Sequence, residues 1–158
     1  MTLIKSISGI RGTIGGNTAD NLTPPNIVAF ASAFGSFIKQ KNRLSSTPEK
    51  VKIVIGRDAR TSGAMVTHLV ANTLIAYGID VIDIGLSTTP SVEMAAIHFG
   101  AQGGIVVTAS HNPAEWNALK LLNEKGEFIS DSEGKEIIAL ASAGEFQYAA
   151  IDQLGKIK

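Results

Sequence analysis

Gly103-Gly104-Ile105-Val106-Val107-Thr108-Ala109-Ser110-His111-Asn112-Pro113 is the stretch that decides the fold. Gly103 to Val107 is an uninterrupted apolar run and reads as a buried strand. A strand that breaks off into a short polar loop puts Ser110 at the end of a sheet, where α/β folds bind their ligands. Asn112-Pro113 closes the loop as a turn, because proline fixes its own φ and keeps the preceding residue out of the helical region. One hydroxyl is thereby held on a stiff turn with an imidazole beside it in sequence. A covalent group carrier needs such an arrangement.

Outward from this run, strands and helices alternate, the pattern of an α/β layer structure. Leu3 to Ile7 is a short opening strand, and Gly9 to Gly16 is glycine-rich and too irregular for strand or helix. Thr23 is the N-cap of a helix whose first position is Pro24, with Ile27, Phe30, Ala31, Phe34 and Ile38 on one face. After a polar connector over 42–50, Val51 to Ile55 is a strand and Gly56-Arg57-Asp58-Ala59-Arg60 the loop after it. Thr61 or Ser62 caps a helix that runs to about Tyr77 and stops at Gly78. Val81 to Ile84 is a strand ended by Gly85, Ser87-Thr88-Thr89 is a helix cap, and Pro90 opens a helix to Phe99-Gly100. Leu119 to Leu122 and Glu127 to Ile129 form a hairpin around Gly126, and Asp131 caps a last helix to about Ala141. If the strands are parallel neighbours, the loops 57–60, 87–89 and 108–113 gather on one edge of the sheet.

The 158 residues suffice for one domain with a proper core, and 44% hydrophobic against 18% charged residues suits a globular α/β protein and argues against disorder. There is no cysteine, so disulfides and thiolate metal sites are excluded, which fits a cytoplasmic protein. Met1 to Lys5 does not read as a signal peptide, and no apolar run reaches membrane-spanning length. Net charge is zero, which argues against a generic nucleic-acid surface. The zero hides an asymmetry: residues 1–60 hold nine Lys or Arg against three Asp or Glu, and residues 61–158 hold five against eleven. Solvated helix faces account for this as well as the other reading, in which Arg11, Arg57 and Arg60 hold a phosphorylated centre through bidentate hydrogen bonds.

The Thr108–Pro113 loop resembles the active-site serine loop of the α-D-phosphohexomutases, the phosphoglucomutase/phosphomannomutase family, which also includes phosphoglucosamine mutases. Ser8-Gly9-Ile10-Arg11-Gly12, Gly56-Arg57-Asp58-Ala59-Arg60 and Thr89-Pro90 are similar to further family landmarks, in family order. Trp116-Asn117-Ala118-Leu119-Lys120 is similar to the family's Asn-Gly-x-Lys, with Ala118 where glycine is usual, at an expected backbone turn before Lys120. The resemblance implies a mixed, mostly parallel sheet sandwiched between helices, with residues 1–158 forming the first of four domains.

By the same resemblance Ser110 is a phosphoryl carrier. Phosphoserine gives its phosphoryl group to a hexose monophosphate, and a hexose 1,6-bisphosphate forms and turns over. Arg11, His111 and Lys120 are implied to assist at the phosphoserine and the sugar hydroxyl. Asn112, Asn117, Arg57 and Arg60 are implied to bind substrate or phosphate, although Arg57, Asp58 and Arg60 suit an ion-pair network buttressing their loop slightly better than direct ligand contact. Trp116 is read as packing, and His68 and His98 as packing or surface residues. The family's Mg2+ would meet Ser110 through its phosphate; the Asp-x-Asp-x-Asp motif that completes the site is absent, as are the sugar-recognition and C-terminal phosphate-binding loops. The expectation is a piece of a longer enzyme, inactive alone, with the remaining domains of the same polypeptide as partners and no nucleic acid or membrane. Thr108, where phosphoglucosamine mutases often have serine, leans towards glucose or mannose phosphates.

Three other readings compete. A serine hydrolase lacks a Gly-x-Ser-x-Gly elbow, and adjacent residues of an extended segment point apart, which places His111 badly for deprotonating Ser110. A phosphosugar-binding module and an interaction domain on the same fold, both without catalytic activity, remain open.

Overall fold

A computed structural model describes residues 2–6, 9–46 and 49–158. In chain order its elements are β1 (Ile4–Ser6), β2 (Gly9–Thr13), α1 (Pro24–Arg43), β3 (Lys52–Arg57), α2 (Gly63–Ala76), β4 (Asp80–Leu86), α3 (Thr89–His98), β5 (Gly103–Val107), β6 (Trp116–Leu122) and α4 (Asp131–Ala143). Ile7 and Ser8, where the opening strand and the first motif meet, and Thr47-Pro48 in the connector lie outside the described residues.

The six strands form one sheet in the order β1-β2-β6-β5-β3-β4. It is mixed and flanked by helices, as expected, but parallel pairing is confined to β5-β3 and β3-β4. The β1-β2, β2-β6 and β6-β5 pairs are antiparallel, so the sheet is not mostly parallel. The reason is that the chain returns from β5 to β6 through a short loop, and only long crossovers make parallel neighbours.

The apolar face of α1 works as its periodicity predicts: Ile27, Phe30, Ala31, Phe34 and Ile38 are all buried. They join Ile53, Ile55, Ile105, Leu119 and Leu121 of the sheet and the inward faces of α2 and α4 in the main core. Each of the Ile, Leu and Phe side chains contributes roughly 1.5–3 kcal/mol by leaving water. The opposite face carries a smaller cluster of Val54, Val106 and Leu122 under Val92 of α3. Strand alternation therefore puts Leu119 and Leu121 in one layer and Lys120 and Leu122 in the other.

Several boundaries differ from the sequence reading. Gly9 to Thr13 is a strand, because β1 and β6 hydrogen-bond it from both sides and override the poor β-propensity of glycine. Gly9 itself has φ +138, and a Cβ there would overlap the Leu119 carbonyl, so β2 approaches β6 only with glycine at this point. β3 runs on through Gly56 and Arg57, so its loop begins at Asp58. No turn precedes Lys120; Ala118 sits in regular β6, paired with Arg11. The hairpin turn at Gly126 forms, yet its second arm is a single bridge, Phe128 with Leu122. Ser130, not Asp131, caps α4: its hydroxyl accepts from the Glu133 amide while the Glu133 carboxylate accepts from the Ser130 amide. Thr23 and Ser62 hold cap positions of α1 and α2, but neither side chain bonds its helix; Thr88 does cap α3. Past α4 the chain returns along the edge strand, where Ile157 bridges Val81 in parallel fashion.

Candidate active site

Because β3, β4 and β5 are parallel, their C-terminal ends meet at one edge, and the Ser87 amide donates to the Arg57 carbonyl at 2.9 Å across it. The loop after β5 adds Ser110, the only non-glycine residue with positive φ among the described residues, at φ +55. A left-handed backbone costs an L-residue roughly 1–2 kcal/mol, so the surroundings have to impose it. They do so in part through Thr108: its hydroxyl donates to Asp58 Oδ2 at 2.6 Å and accepts from the Ser110 amide at 3.1 Å. The Asn112 amide donates to the Ala109 carbonyl at 3.0 Å and closes the turn. Ser110 and His111 are exposed on it. No hydrogen bond joins Ser110 Oγ to the His111 ring among the described residues; the left-handed turn, rather than strand alternation, sets their directions.

Arg60 lies beneath this loop. Its guanidinium donates to the main-chain carbonyls of Ser110, Asn112, Pro113 and Trp116 at 2.6–3.0 Å. Its Nε donates to Asp58 Oδ2 at 3.2 Å, and its amide to Asp58 Oδ1 at 3.1 Å. Of the two readings of this arginine, the structure carries the internal network. Arg57 is half-buried at the end of β3 and donates to the Asp58 carbonyl at 3.2 Å.

Arg11 and Lys120 come together on the next strands. In the β2–β6 ladder Arg11 stands opposite Ala118, and Lys120 opposite Gly9. Arg11, Ala118 and Lys120 thus share the face that also carries Val106 of β5. With Ser6, Gly9, Ile10 and Leu119 they line an open depression of about 290 Å³. The Thr108 amide donates to the Ala118 carbonyl at 3.2 Å, which ties this ladder to the start of the Ser110 loop.

Asn117 does not belong to that surface. It is fully buried; its amide nitrogen donates to Ser62 Oγ at 2.9 Å and its Oδ1 accepts from the Ala118 amide at 2.8 Å. It fixes β6 to the start of α2, a structural task rather than the ligand contact the resemblance implied. Asn112 is half-buried, and its carbonyl is taken by Arg60. His68 and His98 are exposed on helices, and the His98 ring meets the edge of Phe99 at 4.9 Å.

At the opposite edge of the sheet Lys41 bridges Glu124 at 3.0 Å and Glu133 at 3.1 Å. Burial pulls the Lys41 ammonium down, but its hydrogen bonds to both carboxylates outweigh this and leave it above the usual lysine range. Burial pushes Glu124 and Glu133 up, and backbone hydrogen bonds together with Lys41 bring them below the usual carboxylate range. Among the described residues no three His, Asp or Glu side chains converge where they could hold a metal ion. The residues present therefore do not fit a Mg2+ site of their own.

Residues 3–148 match the family model described as phosphoglucomutase/phosphomannomutase, alpha/beta/alpha domain I. The chain belongs to the phosphoglucomutase/phosphomannomutase family. It is 35% identical to a phosphoglucomutase/phosphomannomutase of Thermococcus kodakarensis, over 93% of this chain and 32% of that protein. A phosphomannomutase of Vibrio cholerae is 36% identical, over 87% of this chain and 28% of its own length. A probable phosphoglucosamine mutase of T. kodakarensis is 32% identical, over 96% of this chain and 30% of that protein. The chain spans about a third of the length of these relatives. Among solved structures, a family protein of Burkholderia thailandensis superposes with a TM-score of 0.78 at 26% identity, covering 98% of this chain and 32% of that one. A putative phosphomannomutase of Thermus thermophilus shares the fold at a TM-score of 0.79 and 24% identity, over 100% of this chain and 34% of that one. Among the described residues no helix is long and apolar enough to cross a membrane.

Asp58 and Thr108 are the site residues that sequence reasoning missed as a pair. Their signal was the Asp-x-Arg spacing directly after a strand that, if parallel to the Ser110 strand, ends at the same edge.

Proposed function

We propose that this chain is the first domain of a longer phosphohexomutase, and that Ser110 carries the phosphoryl group between hexose 1-phosphate and hexose 6-phosphate. The observation that carries this reading is the Ser110 turn: an exposed residue at φ +55, at the sheet edge where parallel strands end. A strained, outward-facing serine costs stability and gains nothing for packing, whereas it presents a nucleophile.

Phosphoserine 110 would give its phosphoryl group to the free hydroxyl of a hexose monophosphate. The Oγ–P bond breaks, a sugar O–P bond forms, and the hydroxyl proton passes to a base. The resulting 1,6-bisphosphate turns over, and Ser110 Oγ takes the other phosphoryl group while a proton returns to the sugar oxygen. Lys120 is our choice for moving that proton once the sugar shields it from water. Arg11, facing the same depression, holds phosphate oxygens through its guanidinium fork, and His111 does so beside the serine. The phosphate on Ser110 is the one ligand this chain would offer a Mg2+ ion; the others would come from elsewhere in the polypeptide.

Glucose and mannose phosphates are the proposed substrates, after the relatives at 35 and 36% identity, with glucosamine phosphate as the alternative, after phosphoglucosamine mutases at 32 and 37%. Thr108 plays no part in that choice, since its hydroxyl serves Asp58 and the Ser110 amide, and serine offers the same hydroxyl. We place the reaction in the cytoplasm, in keeping with the absence of cysteine.

The test uses the full-length polypeptide. Incubation with glucose 1,6-bisphosphate should add one phosphate-sized mass that maps to Ser110. Ser110→Ala should lower isomerisation by at least about 10³-fold, the scale on which losing a covalent nucleophile operates. Undiminished turnover by Ser110→Ala would overturn the reading, and a protein that binds hexose phosphate without ever being phosphorylated would be a binding module instead. The 158-residue chain alone should show no turnover in a coupled glucose 1-phosphate assay.

A further inference from the structure

A guanidinium has five N–H donors. In Arg60 all five end on the protein: one on the Asp58 carboxylate and four on the carbonyls of Ser110, Asn112, Pro113 and Trp116. None remains for a phosphate oxygen. Four carbonyl dipoles of one short loop pointing at a single place repel one another unless a cation stands there. The planar fork of arginine meets two pairs of them at once, which the three donors of a lysine, on a single atom, cannot reproduce. With the carbonyls turned inward, the Ser110 and His111 side chains are left exposed on the outer surface of the loop.

We infer that Arg60 is a positioning residue for phosphoryl transfer: anchored by Asp58, it holds the 110–116 loop by its main-chain carbonyls and keeps Ser110 in the left-handed turn. It touches neither the phosphoryl group nor the sugar. Asp58 completes the device by receiving the Thr108 hydroxyl at 2.6 Å, so that the loop is gripped before Ser110 as well as after it. The inference rests on the reading of Ser110 as the phosphoryl carrier. It separates Arg60 from Arg11, which lines the open depression rather than the underside of the loop.

The test compares Arg60→Lys with the unaltered full-length polypeptide. Once the fork is lost, Ser110 can relax to negative φ and carry its oxygen away from the transfer position. A misplacement of about 1 Å costs on the order of 10²-fold in rate, so kcat should fall by about that factor while KM stays within about threefold. Hydrogen–deuterium exchange in the peptide spanning 110–116 should speed up at least about tenfold, because the loop opens more often. A rise in KM with kcat preserved would identify Arg60 as a ligand-binding residue and overturn the inference; so would unchanged exchange in 110–116. Asp58→Asn leaves the four carbonyl bonds in place and weakens only their anchor. It should show the same kcat-only loss in smaller measure, and it serves if Arg60→Lys does not fold. Ser110→Ala, run alongside, reports on the carrier reading alone. If it keeps full turnover, the carrier reading falls and the positioning role falls with it. If it is inactive while Arg60→Lys holds kcat within about twofold, only the positioning role falls.

Discussion

Ser110→Gly should leave the domain more stable than Ser110→Ala, the reverse of the usual ranking of these two residues. Both substitutions remove the hydroxyl, so the comparison isolates the backbone. At φ +55 an alanine keeps the left-handed penalty of roughly 1–2 kcal/mol, and glycine sheds it. Against this, glycine gives the unfolded chain more freedom, at a cost of about 0.4–1 kcal/mol. The balance favours glycine by somewhere between about zero and 1.6 kcal/mol, centred near 0.8. For a domain of this size about 1 kcal/mol moves Tm by 2–4 °C, so Ser110→Gly should melt about 2 °C above Ser110→Ala.

The adjacent Ala109 supplies the control, since it is buried at 3% exposure and has no positive φ. Ala109→Gly should lower Tm, by the roughly 0.5–1 kcal/mol that glycine costs within ordered structure, plus the lost packing of a methyl group. Thermal unfolding of the 158-residue chain, followed by circular dichroism, reads all the variants. A Ser110→Gly protein that melts clearly below Ser110→Ala, as Ala109→Gly melts below the unaltered chain, would refute a strained serine. Position 110 would then be an ordinary loop residue, and the turn could not be offered as a nucleophile mount.

Asn117→Ala should lower Tm by about 2–12 °C, since leaving Ser62 Oγ and the Ala118 amide without their buried partner costs roughly 1–3 kcal/mol. In the full-length polypeptide its effect on KM for hexose phosphate should be within about twofold, and a selective rise in KM would restore the ligand-binding role. Glu124→Gln tests the Lys41 pair: it should lower Tm at neutral pH by about 1–2 °C, because partly exposed ion pairs contribute under about 1 kcal/mol. The folded-state carboxyl of Glu124 lies below its ordinary value, so the contribution is complete above the unfolded pKa of about 4.3 and is lost as pH falls through the lower, folded value. The Tm gap between the two proteins should therefore close in acid, and a gap that widens there contradicts the assignment.

Three parallel strands and the helices between them were legible because their signals are local. A mostly apolar run such as Val51 to Ile55, a face such as Ile27 to Ile38, and a stop such as Gly78 each carry the answer within a dozen residues. β2 was not legible, because nothing in Gly9-Ile10-Arg11-Gly12 favours a strand; it exists through β1 on one side and β6 on the other. Its glycines, read as irregularity, are a packing requirement, since a Cβ at Gly12 would come within 3.1 Å of the Leu22 amide nitrogen. The Ser130-to-Glu133 capping box was written in the sequence and was overlooked in favour of Asp131 one residue later. Ser110 stood out because a buried strand, a break and a proline follow one another directly. Arg60 could only be narrowed to two roles, because four of its five partners are main-chain oxygens, which no residue type announces.

Asn117 and Lys120 show what alternation alone would have decided. In β6 the odd positions Leu119 and Leu121 face the main core, so Asn117 shares their side. Lys120 shares the other side with Ala118 and Leu122, where Arg11 stands opposite Ala118. The family motif joins Asn117 and Lys120 as if they served one ligand, whereas the pleat sends them to opposite faces of the sheet. That split has a physical use. On the proposed role of Lys120, a lysine that moves a proton needs a strand that does not slide, and a buried amide bonded to Ser62 at the start of α2 pins the register of β6 three residues away. The depression lined by Arg11 and Lys120 therefore depends on a residue that never faces it.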